Sequence, residues 1–162
     1  MPGRSRARTR APLVATLDRD QAMDEAFRLL SRRSRSEAEI ATELSERGAS
    51  RTTVGRVLGR LRSLGYIDDQ KLAAEWTERW KERGFGVLRI QAELRNSGIA
   101  EAIVERVRLG EREERGRARE ILARRFSAAE LRDRRGMARA ARFLAGRGFT
   151  PEVIDSLFEV WE

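Results

Sequence analysis

The stretch FLAGRGFTPEVI, residues 143–154, has two counterparts upstream, ELSERGASRTTV at 43–54 and ELRNSGIAEAIV at 93–104. Aligned on Gly48, Gly98 and Gly148, the three stand fifty residues apart. Position 44/94/144 is Leu in every copy, and positions 54/104/154 and 57/107/157 are aliphatic. Within each copy the apolar residues recur at helical spacing, break at the glycine and resume. Glycine there supplies the left-handed residue that ends a helix. The chain thus writes one helix–glycine–helix joint three times.

Capping residues extend the pattern outward from each joint. Ser36 followed by Glu39 matches a capping box, and Ser50 is placed to cap the helix after Gly48. That helix turns Val54, Val57, Leu58 and Leu61 inward and closes at Gly65. Asp68 then starts a helix with Leu72, Ala73, Trp76 and Trp80 on one face, ending at Gly84. In the last copy Thr150 is a good N-cap, and Pro151 fits the first turn, where its missing N–H costs nothing. First helices of roughly 20–33, 69–83 and 112–126 complete each unit, and no segment alternates with period two. The expectation is an all-α chain of three tandem three-helix repeats at 20–68, 69–110 and 111–162, behind a flexible basic tail at 1–19. A unit of about fifty residues buries a marginal core alone. Tandem copies gain by stacking, so an elongated, curved array is expected.

Composition narrows the function. Absence of Cys removes disulfides and thiolate chemistry, and absence of His removes imidazole bases and ordinary zinc sites. No enzyme activity and no cofactor are expected. No apolar run approaches the ~18 residues of a membrane span, and the N-terminus lacks the apolar core of a secretory signal, so a cytoplasmic protein with no membrane partner is expected. The net charge of +8 implies attraction to polyanions or acidic surfaces. Only Lys71 and Lys81 are lysines; the Arg excess itself fits the codon bias of a GC-rich genome. Between Arg115 and Arg147 eleven arginines face only Glu120, Glu130 and Asp133. Three acids cannot pair eleven arginines. Arg124, Arg125, Arg132, Arg134, Arg135, Arg139 and Arg142 are the main candidates to meet phosphate or carboxylate, which the planar guanidinium fork bonds alike. Arg32, Arg33 and Arg35 form a smaller cluster.

The segments SRRSRSEAEIATEL (31–44), VLGRLRSLGYIDDQKLAAEW (57–76), GFGVLRIQAELRNSGI (84–99) and ARFLAGRGFTPEVI (141–154) resemble successive landmarks of the RecX family, bacterial regulators of the RecA recombinase. The most specific piece is LGYIDD, Leu64–Asp69, followed by Ala73 and Trp76. Leu72 stands where a Phe is usual, and Val87 where the family often has Pro. The resemblance implies a non-enzymatic, cytoplasmic protein that binds RecA filaments on single-stranded DNA, lies in their groove and restrains ATP hydrolysis, strand exchange and coprotease function. A monomer is expected.

Other readings are set beside it. Asp68–Asp69 as a metal or acid–base pair finds no third ligand, and helix capping accounts for it. The GYIDD segment reads as a joint in which Tyr66 and Ile67 pack, with Gly65 and Asp68 as its turn and cap. Trp76 reads as core, while Trp80, among basic neighbours, is open between packing and base stacking. A helix-turn-helix reading suits the first copy, whose second helix carries Arg51, Arg56, Arg60 and Arg62. It falters in the second copy, with Glu101 and Glu105 beside Arg106 and Arg108, and in the third, with Glu152, Asp155 and Glu159. A protein binding single- or double-stranded DNA by itself through phosphate contacts is the alternative.

Overall fold

The computed structural model describes residues 16–158, and every regular element among them is helical. In chain order they are α1 (Arg19–Arg32), α2 (Glu37–Glu46), α3 (Arg51–Ser63), α4 (Asp69–Glu82), α5 (Val87–Asn96), α6 (Glu101–Val104), α7 (Glu111–Arg125), a 3-10 turn (Glu130–Arg132), α8 (Arg134–Gly146) and α9 (Pro151–Phe158). Residues 1–15 of the expected basic tail, with Arg4, Arg6, Arg8 and Arg10, lie outside the described residues, as does Glu159.

Local chemistry sets the helix starts. Asp18 and Gln21 form a reciprocal capping box at α1. Ser50 accepts the Thr53 N–H at α3, Asp68 accepts those of Gln70 and Lys71 at α4, and the Thr150 hydroxyl accepts that of Val153 at α9. The helix ends obey one rule at all three joints. Leu44, Leu94 and Leu144 are fully buried, and their carbonyls accept the N–H of the residue just past the glycine, Ala49, Ile99 and Phe149. The glycine N–H bonds three residues back in each case. With φ of 93°, 75° and 83° at Gly48, Gly98 and Gly148, each joint is a Schellman turn that carries its apolar partner into the core.

The chain forms two compact units, one of the described residues through Arg35 with Glu39–Ile67, the other of Ser36–Ala38 with the described residues from Asp68 onward. The first unit is built on Ala22, Ala26, Ile40, Leu44, Val54, Val57 and Leu61. The second holds two clusters. One joins Leu72, Ala73, Trp76, Ile90, Leu94, Ile99 and Val104, the other Ala118, Leu122, Ala140, Leu144, Phe149, Val153, Ile154 and Leu157.

Within the second unit these two clusters are joined backbone to backbone. The Gly86 N–H donates to the Arg147 carbonyl at 2.9 Å and the Leu88 N–H to the Gly148 carbonyl at 3.0 Å. A Cβ on Gly148 would sit 2.4 Å from the Arg89 backbone nitrogen, and one on Gly86 would sit 2.4 Å from the Gly148 carbonyl oxygen. The start of α5 therefore lies directly on the glycine joint between α8 and α9. The start of α2 meets Gly98 in the same way, where an added Cβ would fall 2.4 Å from that of Ala38, and the Ser36 hydroxyl donates to the Ser97 carbonyl.

One element departs from expectation. The second copy's last helix, read as long enough to carry Arg106 and Arg108, stops at Val104. Val107 and Leu109 turn instead onto the middle cluster, and the Gln91 amide donates to the Val107 carbonyl at 3.0 Å, replacing the helical bond that carbonyl forgoes.

These contacts rank three glycine substitutions. Gly148→Ala combines a left-handed backbone with overlap against Arg89 and should cost more than about 3 kcal/mol. Gly65→Ala has a φ of 76° but open space around it, and should cost about 1–2 kcal/mol. Gly55→Ala, inside α3 with nothing within 4 Å, should stabilise by about 0.5–1 kcal/mol. Urea unfolding of the three variants checks the order, and equal losses at Gly148 and Gly65 would contradict the docked joint.

Candidate functional site

The arginine band is distributed over α7, the turn after it, and α8. Part of it is engaged within the unit. Arg115 pairs with Glu111 at 3.1 Å. The half-buried Arg117 donates its Nη2 to the carbonyls of Lys81, at 3.0 Å, and Phe85, at 2.6 Å, where α4 ends. Arg147 donates Nη1 to the Arg83 carbonyl at 2.9 Å, with its guanidinium over the rings of Phe85 and Phe143, 5.1 and 5.2 Å from their centroids. Arg117 and Arg147 thus supply donors and positive charge to carbonyls in the last turn of α4 and just beyond it. Counting charge along the sequence counted these as surface.

Beside Arg117 lies the carboxylate that closes this joint. Glu114 is 2% exposed and accepts the Val87 N–H at 2.8 Å, capping α5 from a different helix. Asp69 makes the same bond to the Glu37 N–H at 3.0 Å, at the start of α2. Neither role was visible beforehand. The two acids are 45 residues apart, so the register that aligns the glycines hides the correspondence. Burial pushes the Glu114 carboxyl above its ordinary range, against the pull of the Val87 N–H and of Arg117. Burial likewise lowers Arg117, opposed by Glu114 at 3.7 Å.

The other predicted arginines lie on the surface. Arg124, Arg125, Arg132, Arg134, Arg135, Arg139 and Arg142 are all exposed. Arg139 pairs with Glu130 at 3.0 Å, and Arg125 lies over the Phe143 ring at 5.6 Å. Arg124, Arg132, Arg134, Arg135 and Arg142 make no ion pair among the described residues. Glu130 also accepts the Ser127 N–H and hydroxyl, bonds that hold its carboxyl below the usual range and fix the turn ahead of α8. The small cluster at Arg32, Arg33 and Arg35 is largely spent internally. Glu39 bonds Arg33 at 2.7 Å and raises it above its ordinary value, while Arg35 lies 3.7 Å from Glu43. Arg32 stays exposed in the last turn of α1.

The joint residues also separate. Asp68 caps α4, Ile67 is buried, and Trp76 is core. Tyr66, expected to pack, is 57% exposed, with its ring in a T-shaped contact with that of Phe27, 5.0 Å between centroids. After the left-handed Gly65 the chain leaves Tyr66 outside and buries Ile67, the next residue. Trp80 packs edge-on against Phe85 and is covered by Arg83, 5.0 Å from its centroid, which resolves it as packing. Among the described residues no group of three His, Cys, Asp or Glu is placed to hold a metal, and no helix is long and apolar enough to cross a membrane.

Models of the first and third three-helix domains of RecX match residues 22–61 and 113–158. The regulatory protein RecX of Halorhodospira halophila is 37% identical over 132 residues, 81% of this chain and 82% of that protein. The chain belongs to the RecX family. The regulatory protein RecX of Deinococcus radiodurans is 34% identical over 155 residues, covering 94% of this chain and 74% of its own. Two solved RecX structures share the fold. That of the Lactobacillus salivarius protein superposes with a TM-score of 0.74 at 18% identity, over 88% of this chain and 96% of the other. A second RecX structure gives 0.71 at 23% identity, over 85% and 71%.

In this RecX-family chain the burial of Glu114 is expected to make stability depend on pH. Its folded pKa is raised, so the stability it contributes is full below the unfolded value of about 4.3 and is lost as pH rises through the folded value. Glu114→Gln keeps an oxygen for the Val87 N–H and removes that titration. The stability of the native chain relative to Glu114→Gln should rise as pH falls from 7 to 5, read by denaturant unfolding at both. No change between the two pH values would mean that the Val87 N–H and Arg117 together offset burial.

Proposed function

We propose that this protein is a non-catalytic cytoplasmic regulator that binds the RecA recombinase filament on single-stranded DNA, lies along its groove and restrains ATP hydrolysis, strand exchange and coprotease activity. Membership of a family whose relatives are named regulatory proteins supports the general role. The observation that carries the binding surface is the exposed set Arg124, Arg132, Arg134, Arg135 and Arg142, without ion partners among the described residues. Two of these, Arg134 and Arg135, occupy the first turn of α8, which holds no acid. Cations there oppose the helix dipole, so stability of the free chain does not account for them. An acidic or phosphate-bearing partner does. Binding across neighbouring protomers would oppose the subunit movements that ATP turnover needs.

Added to RecA on single-stranded DNA, the protein should slow ATP hydrolysis at well below one molecule per protomer. Reversing Arg124, Arg125, Arg134 and Arg135 to Glu should weaken filament pull-down at least tenfold. Unchanged hydrolysis at saturation would overturn the regulatory reading, and equal pull-down would overturn the surface. The exposed Arg51, Arg56 and Arg60 along α3 favour a second reading, direct DNA binding. It requires log-linear loss of affinity with salt in the absence of RecA.

A further inference from the structure

A cleft of about 410 Å³ opens in the second unit where α4 ends against α7 and α8. Arg83, Arg117, Arg124, Arg125 and Arg147 line it, together with Lys81. Lys81 is already neutralised by Glu78 and Glu113. The cleft's two carboxylates, Glu82 and Glu120, form no ion pair with the arginines among the described residues. Arg117 is offset by Glu114 at 3.7 Å, whereas Arg83, Arg124, Arg125 and Arg147 have no carboxylate partner among the described residues and share a concave, partly buried space with incomplete compensation. Such a site lowers its energy by taking up an anion.

The geometry points to a phosphate group as that anion. The arginines arrive from three elements, the end of α4 (Arg83), the last turns of α7 (Arg124, Arg125) and the end of α8 (Arg147). A planar carboxylate is satisfied by one fork, whereas a tetrahedral phosphate presents oxygens in several directions and can be met from all three. Arg83, Arg125 and Arg147 also rest on aromatic rings, at 5.0 Å over Trp80, 5.6 Å over Phe143 and 5.1 Å over Phe85. Rings that hold them pre-organise the donors and reduce the entropy lost on binding.

The same contacts exclude base recognition. Phe143 carries Arg125 and Arg147 over its ring and meets Phe126 edge-on at 5.9 Å, while Trp80 is covered by Arg83. No aromatic at the cleft is free to stack a base. The site thus binds phosphate without reading sequence, whether the phosphate belongs to a nucleic-acid backbone or to a free nucleotide. This deepens the proposal for the same arginine face, and its test contains no RecA, so the two fail separately.

Calorimetric titration of the full chain with pyrophosphate should show one saturable site. Arg124→Gln with Arg125→Gln should weaken it at least tenfold, while Arg106→Gln with Arg112→Gln, exposed in the same unit but outside the cleft, should change it less than twofold. Oligo-dT and oligo-dA of equal length should bind equally and compete with pyrophosphate if the source is a nucleic-acid backbone. Tighter binding of ATP than of either oligonucleotide would assign the site to a free nucleotide. Absence of saturable pyrophosphate binding, or equal losses in the two double variants, would overturn the cleft.

Discussion

The second unit depends on bare backbone meeting bare backbone at Gly148. The start of α5 donates two N–H groups to the carbonyls of Arg147 and Gly148, and no side chain fits between them. Glycine serves two purposes there. It takes the left-handed conformation that ends α8, and it leaves the surface flat enough for another helix to begin on it. The same residue type at Gly98 receives the start of α2 at Ala38. A recurring glycine that looked like local punctuation is also the socket for an element far away in sequence.

Around that socket the helix ends exchange capping groups. Glu114 on α7 satisfies the first N–H of α5, and Arg117, three residues on, bonds the carbonyls of Lys81, in the last turn of α4, and of Phe85, just past its end. One turn of α7 thereby closes two helix termini of opposite polarity, with an acid for the positive end and a base for the negative. The burial this requires works against both charges. Their bonds to backbone, rather than their attraction across 3.7 Å, justify their presence.

Arginine has two separate uses in this chain. Arg117 and Arg147 bond backbone carbonyls within the second unit, and Arg33, Arg35, Arg115 and Arg139 are held by carboxylates. Exposed arginines without an ion pair among the described residues include Arg124 in the last turn of α7, Arg132, Arg134, Arg135 and Arg142 in α8 and the turn before it, and Arg51, Arg56 and Arg60 on α3. The relatives named as RecX regulatory proteins and the solved RecX folds show the lineage of the scaffold. A family, however, does not say which of its cations face outward.

Helix periodicity, three joints and most caps were legible in the sequence because each depends on residues within a turn of one another. Gly48, Leu44, Ser50 and Asp68 act through local backbone bonds, and local spacing reveals them. The early end of α6, the exposure of Tyr66 and the covering of Trp80 by Arg83 and Phe85 were decided elsewhere. So were the capping roles of Asp69 and Glu114 and the inward turn of Arg117 and Arg147. Each of these depends on which helix end packs beside which side chain. That pairing spans tens of residues and leaves no period in the chain, so only the tertiary structure could sort structural arginines from those free to meet a partner.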